Sequence, residues 1–346
     1  MKTPIKLLFV ASVTALAVAG LPVTASAQNI FVANFSSGKV AEFDPSGNLI
    51  TNAFVWGLNG PAGLAFDSNG NLYVANYFGN VVSKFNASGI LITNSFASGL
   101  NGPIGLAFDG GGNLYVANLG SSTVSKFNSG GTLITNAFAS GLSGPYGLAF
   151  DGSGDLFVAN YSGSTVSEFN SNGTLVTNAF ASGLSNPVGL AFDSNGNLFV
   201  ANLGSSTVSK FNSSGILITN AFASGLSQPF GLAFDGNGNL FVANYNGSTV
   251  SEFDSSGNLL HMISGPSLSS PSFIAISRPP QAPPLNIAPA GNQTALFWPA
   301  WATNCVLEST TNLSSSNWTA VTNGTPIIGV TVTNSSPAQF FRLRQF

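Results

Sequence analysis

The sequence predicts an all-β fold: a six-bladed β-propeller of four-stranded blades, closed by N- and C-terminal strands that share one blade, with a small C-terminal β-sandwich-like module behind it. Three observations carry this. The stretch GLAFDSNGNLYVAN starts at Gly63 and returns with small changes at Gly105, Gly147, Gly189 and Gly231, each 42 residues after the last. A unit of roughly 40 to 45 residues with four strands is the period of a propeller blade. The two ends of the repeat are complementary fragments: Ile30-Phe31-Val32-Ala33-Asn34 has no GLAFD before it, and Phe273-Ile274-Ala275-Ile276 has no LYVAN after it. Five whole units and two fragments that join make six blades and leave no chain-end blade unpaired.

Taken in order, the chain begins with Lys2 and Lys6, an apolar run from Leu7 to Ala19, and the small residues Ala25-Ser26-Ala27. This is the layout of a signal peptide covering residues 1–27, which predicts an exported protein: secreted, periplasmic or at the cell surface. The run is short for a membrane span, and no later segment competes with it.

Residues 28–277 form the propeller. Within the second unit the strands fall at Gly105 to Phe108, Leu114 to Asn118, Thr123 to Phe127 and Leu133 to Phe138. The first two are nearly all apolar, as strands buried between blades must be, and the last two are more polar, so the order runs outward from the axis. Asp109-Gly110-Gly111-Gly112-Asn113 and Asn128-Ser129-Gly130-Gly131 are tight hairpin turns on one face of the disc. Residues 278–285, rich in proline, form a stiff linker, and residues 286–346 read as short strands separated by Asn and Ser turns.

The unit, with Pro before a short apolar strand ending in Asp, a Gly-Asn turn and a Tyr-Val-Ala-Asn strand, resembles the NHL-repeat propellers over residues 30 to 277. One departure recurs: Asn34, Asn76, Asn118, Asn160, Asn202 and Asn244 stand where NHL units usually carry Asp. The side chain is expected to bond loop backbone without the charge. The C-terminal residues, with landmarks at Trp298, Leu307-Glu308-Ser309-Thr310, Trp318 and Phe341-Arg342-Leu343, resemble the immunoglobulin-like or fibronectin-like modules of some exported bacterial proteins.

Charged residues make up 6% of the chain, against about 25% in an ordinary protein. Removing the signal peptide leaves seven basic residues against twelve acidic ones, which argues against nucleic acid and anionic lipid as partners. The one cysteine, Cys305, excludes an intramolecular disulfide.

Near-identical units allow the repeat to be subtracted, leaving the places where copies differ. The residue before GLAFD varies most: Ala62, Ile104, Tyr146, Val188, Phe230 and, in the closing blade, Ser272. Beside it in the fold come Phe35, Tyr77, Leu119, Tyr161, Leu203 and Tyr245, with Phe78 and Trp56 as further departures. Tyr146, Phe230, Ile104, Tyr77, Tyr161, Tyr245, Phe35 and Trp56 are therefore the candidate ligand-binding residues, an aromatic rim around one mouth of the channel. The same residues can also serve only to pack the loops, and both readings stay open.

Catalytic candidates are lacking. Six-bladed relatives of the NHL kind include lactonases and lyases that hold an axial metal with Glu, Asp, Asn or His. Here the lone His261 aligns with Thr219 on an outermost strand. Asp67, Asp109, Asp151, Asp193 and Asp235 each begin the same hairpin turn. Glu42, Glu168 and Glu252 share a third-strand position with Lys84, Lys126 and Lys210, and the six are expected to form a surface belt of little energetic worth. No catalytic residue, metal or cofactor is assigned. The sequence thus points first to an exported, non-catalytic propeller that binds a protein, peptide or glycan at an aromatic mouth. Two alternatives remain: a metal-dependent lactonase- or lyase-type enzyme, and a structural envelope or matrix component. The oligomeric state is not encoded in any motif.

Overall fold

The structure is a computed structural model; it describes residues 28–277 in full and, beyond them, the backbone of six short strands between residues 286 and 345. The signal peptide expected at 1–27 and the proline linker expected at 278–285 lie outside the described residues.

Six four-stranded antiparallel sheets make up residues 28–277. Blade 1 runs from Pro61 to Ala97, blade 2 from Pro103 to Ala139, blade 3 from Pro145 to Ala181, blade 4 from Pro187 to Ala223 and blade 5 from Pro229 to Ser264. The closing blade pairs the C-terminal strand Pro271–Ile276 with Ile30–Asn34, which continues into Lys39–Phe43 and Leu49–Val55. The complementary fragments thus join as three strands from one end and one from the other.

Burial follows the outward order. The second strand of every blade is buried along its whole length, whereas the outermost strands begin with exposed pairs such as Leu133-Ile134 and Leu175-Val176. The core is a series of layers between neighbouring blades. Tyr73, Ala75 and Val82 of blade 1, for example, meet Leu106, Leu114 and Val116 of blade 2.

Two local devices recur. At the second-strand end, the Asn118 Oδ1 accepts the Asn101 N–H at 3.2 Å, and its Nδ2 donates to Ser125 Oγ at 2.9 Å. Ser125 Oγ in turn donates to the Asn136 carbonyl of the outermost strand. An Asp at this place would lack the donor, which accounts for Asn throughout.

The third-strand lysines do not form a belt. Lys84, Lys126 and Lys210 each lie 3.7 Å from the turn carboxylate of their own blade, Asp67, Asp109 and Asp193. Each ammonium also stands about 5 Å from two ring centroids; for Lys126 these are Tyr115 at 5.0 Å and Phe138 at 5.3 Å. With side chains only 18% exposed, these are enclosed cages in which the cation–π contact strengthens with desolvation. The belt expectation fails because Asp and Lys distant in sequence meet across a strand pair of one blade.

The C-terminal strands form two three-stranded antiparallel sheets, Asn286–Ala290 with Gln293–Phe297 and Gly329–Thr333, and Thr319–Ala320 with Cys305–Thr310 and Phe340–Gln345.

Candidate functional site

The mouth is built by a bulge repeated around the axis. In each innermost strand the proline pairs with the second-strand asparagine, as Pro61 with Asn76, but the next registered pair is Leu64 with Val74. Two residues, the variable one and the following glycine, therefore face one alanine, which is a β-bulge. The glycine is demanded by close approach. A Cβ at Gly105 would lie 2.1 Å from the Tyr146 carbonyl oxygen of the next blade, and one at Gly147 would lie 2.2 Å from that of Val188.

The closing blade breaks this rule, since Phe273 occupies the glycine register. Its ring lies edge-on to Phe230, centroids 5.5 Å apart. Where the other blades meet glycine to carbonyl, the buried Ser272 hydroxyl reaches Pro61 O at 3.1 Å and Ala62 O at 3.3 Å across the blade boundary. Subtraction of the repeat found Ser272 and overlooked Phe273, whose signal was its place in the glycine column.

Around the mouth runs a chain of touching rings. Tyr161 meets Tyr146 at 5.0 Å, Tyr146 meets Phe230 at 5.8 Å, and Phe230 stacks on Tyr245 at 5.5 Å. Tyr245 approaches Phe35 at 6.4 Å, Phe35 lies 6.0 Å from Tyr77, and Tyr77 lies 5.0 Å from Phe78. Four blades supply these rings. Tyr146 and Phe230 come from blades 3 and 5 and touch each other, while Val188 of the blade between is fully buried.

Six of the eight candidate residues, Tyr146, Phe230, Tyr77, Tyr161, Tyr245 and Phe35, are thus brought together, all half-buried. Ile104 is buried, as are Ala62, Val188 and Ser272. These four are packed within the structure and present no rim, whereas the larger Tyr146 and Phe230 at the same bulge position stay half-buried. Trp56 is 75% exposed directly after the outermost strand Leu49–Val55, and it makes no ring contact among the described residues. It belongs to the outer edge of the disc.

The site is electrically neutral but polar. Among the described residues the hydroxyls of Tyr77, Tyr146, Tyr161 and Tyr245 have no hydrogen-bond partner, whereas Tyr73 and Tyr115 donate to Asp67 and Asp109. Burial pushes the Tyr146 phenol up to about 12, and Tyr161, Tyr77 and Tyr245 add to the shift. The four tyrosines come from three blades and are linked into one mouth by the ring contacts through Phe230 and Phe35. Tyr146 is protonated at neutral pH, and each of the four hydroxyls offers one donor and two acceptor lone pairs.

A metal does not fit this donor set. No three His, Cys, Asp or Glu side chains among the described residues stand together as ligands. The second-strand asparagines are already committed to backbone and Ser, and the Asp residues sit in the turns of the opposite face. His261 pairs with Glu252 on the outermost strand of blade 5. What the mouth offers is ring faces and phenol hydroxyls.

Solved structures share this fold at low identity. A streptogramin B lyase matches with a TM-score of 0.50 and 16% identity, covering 91% of this chain and 98% of its own. A gluconolactonase from Xanthomonas campestris matches at 0.55 and 17%, covering 94% and 98%. A propeller in the nidogen/laminin complex matches at 0.61 and 18%, covering 72% and 98%. At such identities the likeness is one of fold. A comparison with curated proteins returns no match. The sequence profile of the virginiamycin B lyase family covers residues 12–281, well over half of the chain, and what that family shares with the NHL resemblance is the six-bladed propeller. On that match, the chain belongs to the virginiamycin B lyase family.

Proposed function

We propose that this protein is a binding propeller, exported from the cell, that takes an uncharged ligand surface of a protein, peptide or glycan on its aromatic mouth. The observation that carries the reading is the cluster of four phenols without partners set among touching rings. Ring faces pack against apolar patches of a sugar or peptide, and the hydroxyls satisfy its polar groups. The absence of carboxylates and imidazoles from the mouth favours recognition over acid–base chemistry. The linker and C-terminal strands serve in this reading as a tether. The nidogen/laminin propeller is an example of the same scaffold in a protein complex, and one scaffold supports many tasks.

A second reading, a lyase- or lactonase-type enzyme, is favoured by the family itself and by the fold likeness to a streptogramin B lyase and a gluconolactonase. The two separate in one experiment. The full chain is tested for turnover of virginiamycin B and gluconolactone, with and without chelator, and in parallel for capture on glycan and peptide arrays. Capture without turnover supports the binding reading; chelator-sensitive turnover overturns it.

A further inference from the structure

The face opposite the aromatic mouth carries nearly all of the propeller's charge. Every Asp and Glu of residues 28–277 lies in or beside the hairpin turns of that face, and only Lys84, Lys126 and Lys210 answer them there. Lys39 sits at the other end of its strand, paired with Asn34.

In blades 1, 2 and 4 neutralisation is local. The lysine meets the turn aspartate at 3.7 Å, and the asparagine that closes the turn donates to the same carboxylate at 2.8 Å. In blade 5 and the closing blade Glu replaces the lysine, and an asparagine amide answers it: Asn239 Nδ2 donates to Glu252 at 3.0 Å, and Asn29 Nδ2 to Glu42 at 2.7 Å.

Blade 3 departs at two positions at once. Glu168 stands in the lysine position, and Asp155 stands where the turns of the other whole blades end in Asn71, Asn113, Asn197 and Asn239. Asp151 Oδ1 still accepts the Ser153 and Asp155 N–H groups. Its Oδ2 and the carboxylates of Asp155 and Glu168 have no donor among the described residues. The two rings of the cage remain: Phe157 and Phe180 lie 4.8 Å apart at 76°, the arrangement of Phe199 and Phe222 in blade 4, over which Lys210 sits.

We propose that blade 3 binds an external primary alkylammonium group, a lysine side chain or a free alkylamine, between the turn carboxylate of Asp151 and the rings of Phe157 and Phe180, with Asp155 and Glu168 standing where the sister blades carry the turn asparagine and the lysine. Acidic residues alone would not single out a ligand; the sister blades do. There the same turn carboxylate and the same ring pair already hold an ammonium nitrogen, and blade 3 keeps that cage while losing the internal cation. A hard metal ion fits worse, because two ring faces stand where it would need oxygens, whereas an ammonium group takes ring faces as partners. The acidic balance of this face favours approach of a cation.

The test titrates the full chain with n-butylammonium chloride and with Nα-acetyl-lysine N-methylamide, following blade 3 amide resonances, with n-butanol and calcium chloride as controls. Both amines are expected to saturate the wild type. Glu168→Lys, which supplies the internal ammonium of the sister blades, is expected to weaken both by at least about tenfold while melting no lower than wild type; Asp155→Asn is expected to weaken them severalfold. Equal or tighter binding of the lysine amide assigns a peptide or protein source, and clear preference for butylammonium assigns a free amine. No saturable response to either amine, an unchanged response in Glu168→Lys, equal binding of n-butanol, or binding of calcium alone overturns the proposal.

Discussion

The rings of Phe230 and Tyr245 lie stacked, with centroids 5.5 Å and planes 30° apart. Through this pair the side chain of an innermost strand is continuous with the loop that follows a second strand, so the mouth is one surface and not a set of independent loops.

The bulge glycines are fixed by the neighbouring carbonyl rather than by their own conformation. Gly147→Ala is expected to cost more than about 2 kcal/mol, because backbone must move to admit the methyl. Gly141 has φ of 70° and open space around it, so Gly141→Ala is expected to cost about 1–2 kcal/mol from conformation alone. Urea unfolding of the two variants side by side checks the order.

Asn118 is buried and uses both ends of its amide. Asn118→Asp removes the donor to Ser125 and buries a carboxylate, with an expected loss of about 2–3 kcal/mol. Because a buried carboxylate binds its proton more tightly, the loss is expected to shrink on acidification, which a pH series of melting curves measures.

Glu168 has its carboxyl raised above the usual Glu range, by burial first and then by Asp155 and Asp151. The folded state therefore binds more protons than the unfolded state between the ordinary Glu value and the raised one, and stability falls as pH rises through that interval. Glu168→Gln removes the effect. It is expected to melt above wild type at neutral pH, with the difference closing below the ordinary Glu range; a difference that grows on acidification would contradict the assignment.

The Lys126 cage holds its ammonium against Asp109 and two rings. Lys126→Met keeps the stem and removes the charge, leaving a partly buried carboxylate without its cation. An expected loss of about 1–2 kcal/mol follows, measurable by thermal melting at low and high salt.

The propeller was legible in the sequence because one 42-residue unit repeats with its turns intact, and the shared closing blade followed from what each chain end lacked. The mouth was legible by position and not by exposure. Subtraction gathers Tyr146 with Ile104, yet the fold buries Ile104 and leaves Tyr146 half-buried, a difference that position in the repeat does not carry. The lysine cages were not legible, since Asp109 and Lys126 stand 17 residues apart and meet only through strand register. Phe273 escaped because the glycine column it interrupts was read only as the start of the innermost strand, when its cause is the packing of one innermost strand on the next.

The measurement that tests the central claim most directly is calorimetric titration of the best ligand found on glycan and peptide arrays into three proteins: wild type, Tyr161→Ser/Tyr245→Ser, and Trp56→Ala. The two mouth residues and Trp56 are all aromatic, but only the former belong to the ring cluster. An aromatic mouth that recognises an uncharged ligand predicts a loss of affinity of about tenfold or more in the double variant and none in Trp56→Ala. Equal affinity in all three proteins, or arrays on which wild type captures nothing beyond what the double variant captures, would contradict it.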